Sequence, residues 1–164
     1  MRATYRYLAY AIPVLVAVQA AAIAFAFFGL SAWIEDGHNL TKAAMESEST
    51  SFTGTAGFMI HGMFGEMLIP LVAIVLLAVS FVAKVPGGSK WAAFVLLDIV
   101  LQIALAFTAF GAPVVGILHG LNALFLAWLG WTAAHRVATA GDLATESTGE
   151  STGEPAIGPT VQTT

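Results

Sequence analysis

Residues 57–83 read GFMIHGMFGEMLIPLVAIVLLAVSFVA. A helix needs about 20 mostly apolar residues to cross the hydrocarbon core of a bilayer. This stretch supplies them, interrupted by His61, Glu66 and Pro70. It reads as a membrane span, and an ionisable side chain inside a span is costly enough to mark a candidate functional site. Three further stretches repeat the pattern, from about Tyr7 to Trp33, from about Trp91 to Phe110 and from about Pro113 to Ala134. The last one holds a second histidine, in Gly116-Ile-Leu-His119-Gly120-Leu-Asn122-Ala123.

Composition agrees. Hydrophobic residues make up 58% of the 164-residue chain, charged residues only 10%, and the mean hydropathy is +0.83. Soluble domains carry roughly 25% charged residues, so the chain is expected to be an integral membrane protein. There is no cysteine, which excludes disulfides, thiolate metal ligands, iron–sulfur clusters and covalently attached haem. The net charge of −4 comes mostly from one loop and the tail. The expected partner is the lipid bilayer and not nucleic acid. The first span exceeds a signal-peptide core, and no clear small-residue cleavage site follows it, so it is expected to be retained.

Arg2 and Arg6 precede the first span, Lys84 and Lys90 lie between the second and third, and Arg136 follows the fourth. Only Lys42 falls on the other side. The positive-inside rule then puts both termini in the cytoplasm and the chain in the plasma membrane. Short connections favour an all-α, up-down-up-down four-helix bundle. The transmembrane domain is expected over residues 1–137 (spans about 7–33, 57–83, 91–110 and 113–134). From Ala138 to Thr164 the chain turns polar, with Glu-Ser-Thr-Gly repeated from Glu146 and Glu150. That composition predicts a disordered cytoplasmic tail.

In such a bundle spans 2 and 4 run in the same direction and face each other diagonally. His61 lies about one turn into span 2 and His119 between one and two turns into span 4, so at ~1.5 Å rise per residue the two differ little in depth. Both are expected in the outer leaflet. Gly57, His61 and Gly65 share one helix face, as do His119 and Ala123, with Gly116 just before them and Asn122 three residues on. Small residues beside a histidine suit a flat macrocycle lying against the helix. They equally suit close helix packing.

The remaining polar residues divide into ordinary features and weaker candidates. Gln19 in span 1 and Gln102 in span 3 lie at similar depth from the inner surface, where a hydrogen bond between them is feasible. Asp98 is one turn from Gln102 on the same face and has no intramembrane Lys or Arg to pair with. It is expected to be protonated or hydrated. Gln19, Asp98 and Gln102 thus form an expected polar cluster in the inner half, serving as helix clasps or as a proton or quinone path. Glu66 points away from His61. Pro13 and Pro70 are expected to bend their helices. Met59, Met63 and Met67 make a stripe whose ordinary meaning is packing. His38 and His135 read as a solvated loop residue and an interfacial residue.

A neutral imidazole ligates haem iron, zinc or copper. Zinc and copper want three or four ligands, and only His61 and His119 share depth and direction. A b-type haem needs two axial groups, one from each side. The residues therefore favour one haem b between spans 2 and 4, with a quinone or redox partner subunit, and electron transfer or haem binding as the role rather than a stand-alone enzyme. Two alternatives stay open. One is a cofactor-free scaffold or accessory subunit whose histidines tie helices together. The other is a small proton or ion transporter using Asp98.

Val18-Gln19, His61-Gly-Met-Phe-Gly65, Leu101-Gln102 and Leu118-His119-Gly-Leu-Asn122-Ala also resemble the pattern of a prokaryotic family of small four-span membrane proteins. That resemblance covers most of residues 7–134; it implies the fold and contributes no activity. More remotely, the pattern is similar to one four-helix half of haem A synthase and to membrane b-type cytochromes. There, histidines on the second and fourth helices ligate haem, positions matched by His61 and His119. The departures are plain: haem A synthase has two such units, and its catalytic acid precedes the span-2 histidine, whereas Glu66 follows His61. The enzyme activity is not carried over.

Overall fold

A computed structural model describes residues 1–47 and 50–149, with side chains as far as Val137 except that of Met45. Its order is α1 (Arg2–Glu35), a short α2 (Lys42–Glu46), α3 (Thr55–Met63), a π turn (Phe64–Leu68), α4 (Ile69–Ala83), α5 (Gly88–Gly111) and α6 (Val115–Gly149). No strand occurs among the described residues. Four helical spans are long and apolar enough to cross a membrane: α1, the run Thr55–Ala83, α5, and α6 as far as Val137. Each expected span is present. The helices mostly extend beyond the apolar runs, because terminal Arg, Lys and Trp side chains reach the interface while their backbone stays helical. Span 4 begins two residues late because Ala112–Val114 form the turn before it. The helix of α6 continues to Gly149, and the rest of the expected tail, 150–164, lies outside the described residues.

Adjacent spans pack around a ring. Span 1 contacts spans 2 and 4, and span 3 contacts spans 2 and 4. Spans 2 and 4 are therefore the diagonal pair. The outward faces carry large apolar side chains, among them Phe28, Met67, Phe81, Leu97, Phe110 and Leu124. Such faces belong against lipid, since a helix satisfies its backbone polar groups internally. This is the architecture of a multi-pass membrane protein.

The sealed core occupies one half of the bundle. Tyr5, Ala9 and Ile12 of span 1 meet Ile69, Ala73 and Leu76 of span 2, Ala92, Val95 and Ile99 of span 3, and Leu126, Leu129 and Ala133 of span 4. Five basic residues gather at that same end. Arg2 Nη2 donates to the Lys84 carbonyl (3.2 Å), Tyr5 Oη to the Gly88 carbonyl (3.0 Å), Arg136 lies over the Trp91 ring and Arg6 over the Tyr10 ring. Lys90 flanks Phe94. At the other end α1 overshoots its neighbours: its 34 residues, at about 1.5 Å each, exceed the ~30 Å hydrocarbon core.

Two prolines shape the packing without breaking a helix. The Pro70 ring excludes the carbonyl four residues back, that of Glu66. The chain answers with a π turn over Phe64–Leu68, where the Ile69 N–H reaches the Phe64 carbonyl five residues back. Pro13 likewise bars its ring from the Ala9 carbonyl. Gly130 of α6 packs over that point: a Cβ there would lie 2.8 Å from Ile12 Cβ and 2.9 Å from Pro13 Cδ.

Gly57 is a second close approach. Its buried Cα lies on α1, where a Cβ would press on the Ala22 carbonyl and stand 3.0 Å from Ala26 Cβ. Gly62, one turn on, would meet nothing within 4 Å. Gly57→Ala is expected to cost about 1–3 kcal/mol, as overpacking does. Gly62→Ala is expected to be neutral or to stabilise by up to ~1 kcal/mol through helix propensity. Thermal unfolding of the two variants in detergent checks the contrast, and equal melting temperatures would contradict the packing.

Candidate functional site

Directly above the sealed core lies a layer of polar side chains, one or more from each span. His61 and His119 face each other there, with ring centres 6.2 Å apart and ring planes at 70°. Both rings are half-buried. Each is anchored from the span before it. His61 Nδ1 lies 3.2 Å from the Gln19 carbonyl oxygen, and His119 Nδ1 lies 3.1 Å from that of Gln102. A carbonyl oxygen only accepts, so each Nδ1 carries the hydrogen. In the neutral ring Nε2 then keeps its lone pair, which is the ligating form.

The glutamine side chains complete the anchoring. Gln19 Nε2 donates to the Ile60 carbonyl at a long 3.5 Å. Gln102 Nε2 donates to the His119 carbonyl (3.0 Å) and stands 3.4 Å from His119 Nε2. Gln102 Oε1 accepts from Asn122 Nδ2 (2.8 Å), which also approaches the Asp98 carbonyl (3.5 Å). Two buried oxygens in this layer have no partner among the described residues, Gln19 Oε1 and Asp98 Oδ2. A buried polar atom without a partner requires an explanation, commonly a water, an ion or a ligand.

The sequence placed Gln19, Asp98 and Gln102 in a separate inner cluster; the structure corrects this. Gln19 and Gln102 stand at the level of the histidines, and each bonds to a histidine's own span rather than to the other glutamine. Counted from the inner ends of their spans, Gln19 is twelve residues in and Gln102 eleven, about 16–18 Å at ~1.5 Å each, which already passes the middle of a ~30 Å core. Asp98 lies one turn further in, 7% exposed, on the margin of the apolar core. Gly65 borders the layer, and a Cβ on it would be 3.6 Å from Gln19 Oε1. Gly116 faces Ala109 of α5, Ala123 is half-buried a turn inward of His119, and Gly57 is taken up by packing on α1. Glu66 is exposed on the outer face of the π turn. His38 stacks on Trp33 and bonds its carbonyl, and His135 lies against Trp131 and Tyr10; neither joins the layer.

What the pair can hold follows from its spacing. Two imidazoles ligating one ion from opposite sides, with metal–nitrogen bonds of about 2.0–2.1 Å and nitrogens ~1.1 Å from their ring centres, have centres about 6 Å apart. The ring centres of His61 and His119 are 6.2 Å apart, and the two rings meet edge to face. Among the described residues no three His, Cys, Asp or Glu side chains form a group able to hold a metal. Beside the layer, on the membrane-facing seam of α5 and α6, an open groove of about 440 Å³ is lined by Leu101, Leu105, Leu118, Leu121, Phe125 and one polar residue, Asn122.

A family of unknown function (DUF6220) matches residues 49–112. That segment holds His61, Asp98 and Gln102 but neither Gln19 nor His119. No curated protein matches the chain, and no solved structure does. No similarity to haem A synthase or to a membrane cytochrome is shown, which withdraws the remoter resemblance as support.

The Asn122–Gln102 bond is open to a double-mutant cycle. Asn122→Leu and Gln102→Leu are expected to couple by about 0.6 kcal/mol, and at most ~1.7 kcal/mol, the range for polar contacts between membrane helices. Unfolding free energies in mixed micelles measure it; strict additivity would show that the two amides do not bond.

Proposed function

We propose that the protein holds one b-type haem between His61 and His119 and serves in membrane electron transfer or haem binding. The observation that carries this reading is the facing pair itself: 6.2 Å between ring centres, each Nδ1 committed to a carbonyl, His61 Nε2 without a partner among the described residues, and His119 Nε2 met only by the Gln102 amide at a long 3.4 Å. The polar layer sits above a sealed apolar core, so water and lipid are excluded from one side of it. Gly65, Gly116 and Ala123 keep the flanks of the histidines slender, and Asn122 steadies Gln102. A bound haem iron would supply a one-electron redox couple. The groove on the α5–α6 seam, apolar apart from Asn122, suits a lipid-soluble partner such as a quinone, or a partner subunit in the membrane.

The five basic residues at one end support, by the positive-inside rule, an orientation in the plasma membrane with that end and both termini cytoplasmic. The chain has no cysteine, so single cysteines report topology cleanly. With a membrane-impermeant maleimide on intact cells, Ser51→Cys is expected to label and Ala3→Cys to label only after lysis. The reverse pattern would invert the orientation.

One contact favours a second reading, a cofactor-free scaffold: the Gln102 amide already approaches His119 Nε2 at 3.4 Å. The reduced-minus-oxidised visible spectrum of protein purified from haem-supplied cells separates the two. The haem reading expects sharp α and Soret bands, lost in both His61→Ala and His119→Ala. A folded, haem-supplied and colourless protein would leave the scaffold.

A further inference from the structure

Spans 1–2 and spans 3–4 are two versions of one hairpin. In each, a glutamine on the first helix gives its main-chain carbonyl to Nδ1 of a histidine on the second, and its side-chain amide to a carbonyl at or beside that histidine. One difference between the copies bears on the glutamine side chain. Three residues beyond His119 stands Asn122, which holds Gln102 Oε1. Three residues beyond His61 stands Phe64, which has no donor to offer, and Gln19 Oε1 is left buried without a partner among the described residues. Clasped by Asn122, the Gln102 amide is turned so that its nitrogen faces both the His119 carbonyl and His119 Nε2. His61 Nε2 has no hydrogen-bond partner among the described residues.

We infer that Gln102 is a positioning residue that covers the ligating nitrogen of His119 and is displaced when that nitrogen takes a metal, so that His61 ligates first and His119 second. The inference rests on the proposed haem site for its purpose, but the cover is a property of the protein alone. Gln102 Nε2 carries two hydrogens, enough to serve the His119 carbonyl at 3.0 Å and His119 Nε2 at 3.4 Å together. At 3.4 Å that second bond is long for N–H···N, so it is weak and readily given up. The first bond and the Asn122 clasp survive a small rotation of the amide and would return it when the nitrogen is free. His61 needs no such step.

Two measurements test this. In haem-free protein with 15N-labelled histidine, held in lipid nanodiscs, both rings are expected to carry hydrogen on Nδ1. The His119 Nε2 resonance is expected upfield of that of His61. Gln102→Leu is expected to move His119 Nε2 downfield and leave His61 in place. Asn122→Leu is expected to move it part of the way, and it stands in should Gln102→Leu fail to fold. A His119 resonance that stays put in a folded variant, or one that moves together with that of His61, overturns the cover. Stopped-flow mixing with haemin then tests the order. A concentration-dependent phase giving a single-histidine spectrum is expected first, followed by a slower unimolecular phase giving the two-histidine spectrum. Gln102→Leu is expected to speed only the second phase, severalfold. Unchanged second-phase rates overturn the order of ligation. Should haemin bind to neither protein, the haem reading fails while the nitrogen shifts still decide the cover.

Discussion

The contact on which the polar layer depends is the bond from a histidine Nδ1 to a main-chain carbonyl of the preceding span. A helical carbonyl already accepts one bond from the N–H four residues on, yet its second lone pair remains available. Gln19 and Gln102 lend that lone pair to His61 and His119. The arrangement fixes three things together: the tautomer, the direction of each ring and the registry of each hairpin. No side chain has to provide the anchor, so substitution at Gln19 or Gln102 need not remove it. What the glutamine side chains add is a second tie and, on one side, a cover for the ring nitrogen. The result is a pair of rings held facing each other by backbone, in a layer where lipid offers no competing hydrogen bonds.

Much of this is legible in the sequence, for identifiable reasons. Four apolar runs of bilayer length admit few arrangements, and short connections between them place spans 2 and 4 diagonally. Matching residue depth along two parallel spans then puts His61 opposite His119. The failures are equally physical. Eleven to twelve residues from the inner face carry Gln19 and Gln102 past the midplane of a ~30 Å core, so they belong with the histidines, and only Asp98, seven residues in, lies in the inner half. Gly57 reads as part of a macrocycle strip because it shares a face with His61, but a helix in a bundle has two neighbours, and that glycine meets α1. The Gln–His repeat between the two hairpins is visible as Val18-Gln19 with Ile60-His61 and Leu101-Gln102 with Leu118-His119. Two pairs at unequal spacing make a faint repeat, and only their shared bonding pattern gives it meaning.

Pro70 shows how a local backbone rule reaches the site. Proline removes one intrahelical bond and crowds a carbonyl, and a kink is the usual expectation. Here the preceding turn widens instead, from Phe64 to Leu68. Widening by one residue changes which faces of span 2 look inward above and below it. His61 and Gly65 face the polar layer above, while Ile69, Ala73 and Leu76 face the sealed core below. A continuous α-helix with the same sequence would set these two faces at a different angle. The turn thus reconciles a histidine aimed at span 4 with an aliphatic ridge packed between spans 1 and 3, and it leaves Glu66 on the outside.

The sealed core also weighs on the transport alternative. A proton or ion path through Asp98 must continue toward the basic end of the bundle. Below Asp98 the interior is filled by Val95, Ala92, Leu76, Leu129 and Ile12, all buried and all apolar. The next side-chain hydrogen bond in that direction joins Ser80 to Ser89, nine residues along α5 from Asp98, or ~13 Å at 1.5 Å per residue. A proton relay needs donors and acceptors within hydrogen-bonding reach of one another, and the buried side chains of this interval offer none. Asp98 instead closes the polar layer from below, with its main-chain carbonyl near Asn122 and its side chain on the rim of the core. The polar chemistry of the bundle therefore belongs to its upper half and is shut off from the basic end by the apolar core. A proton channel through Asp98 needs a continuous polar path across the membrane; the proposed haem site does not.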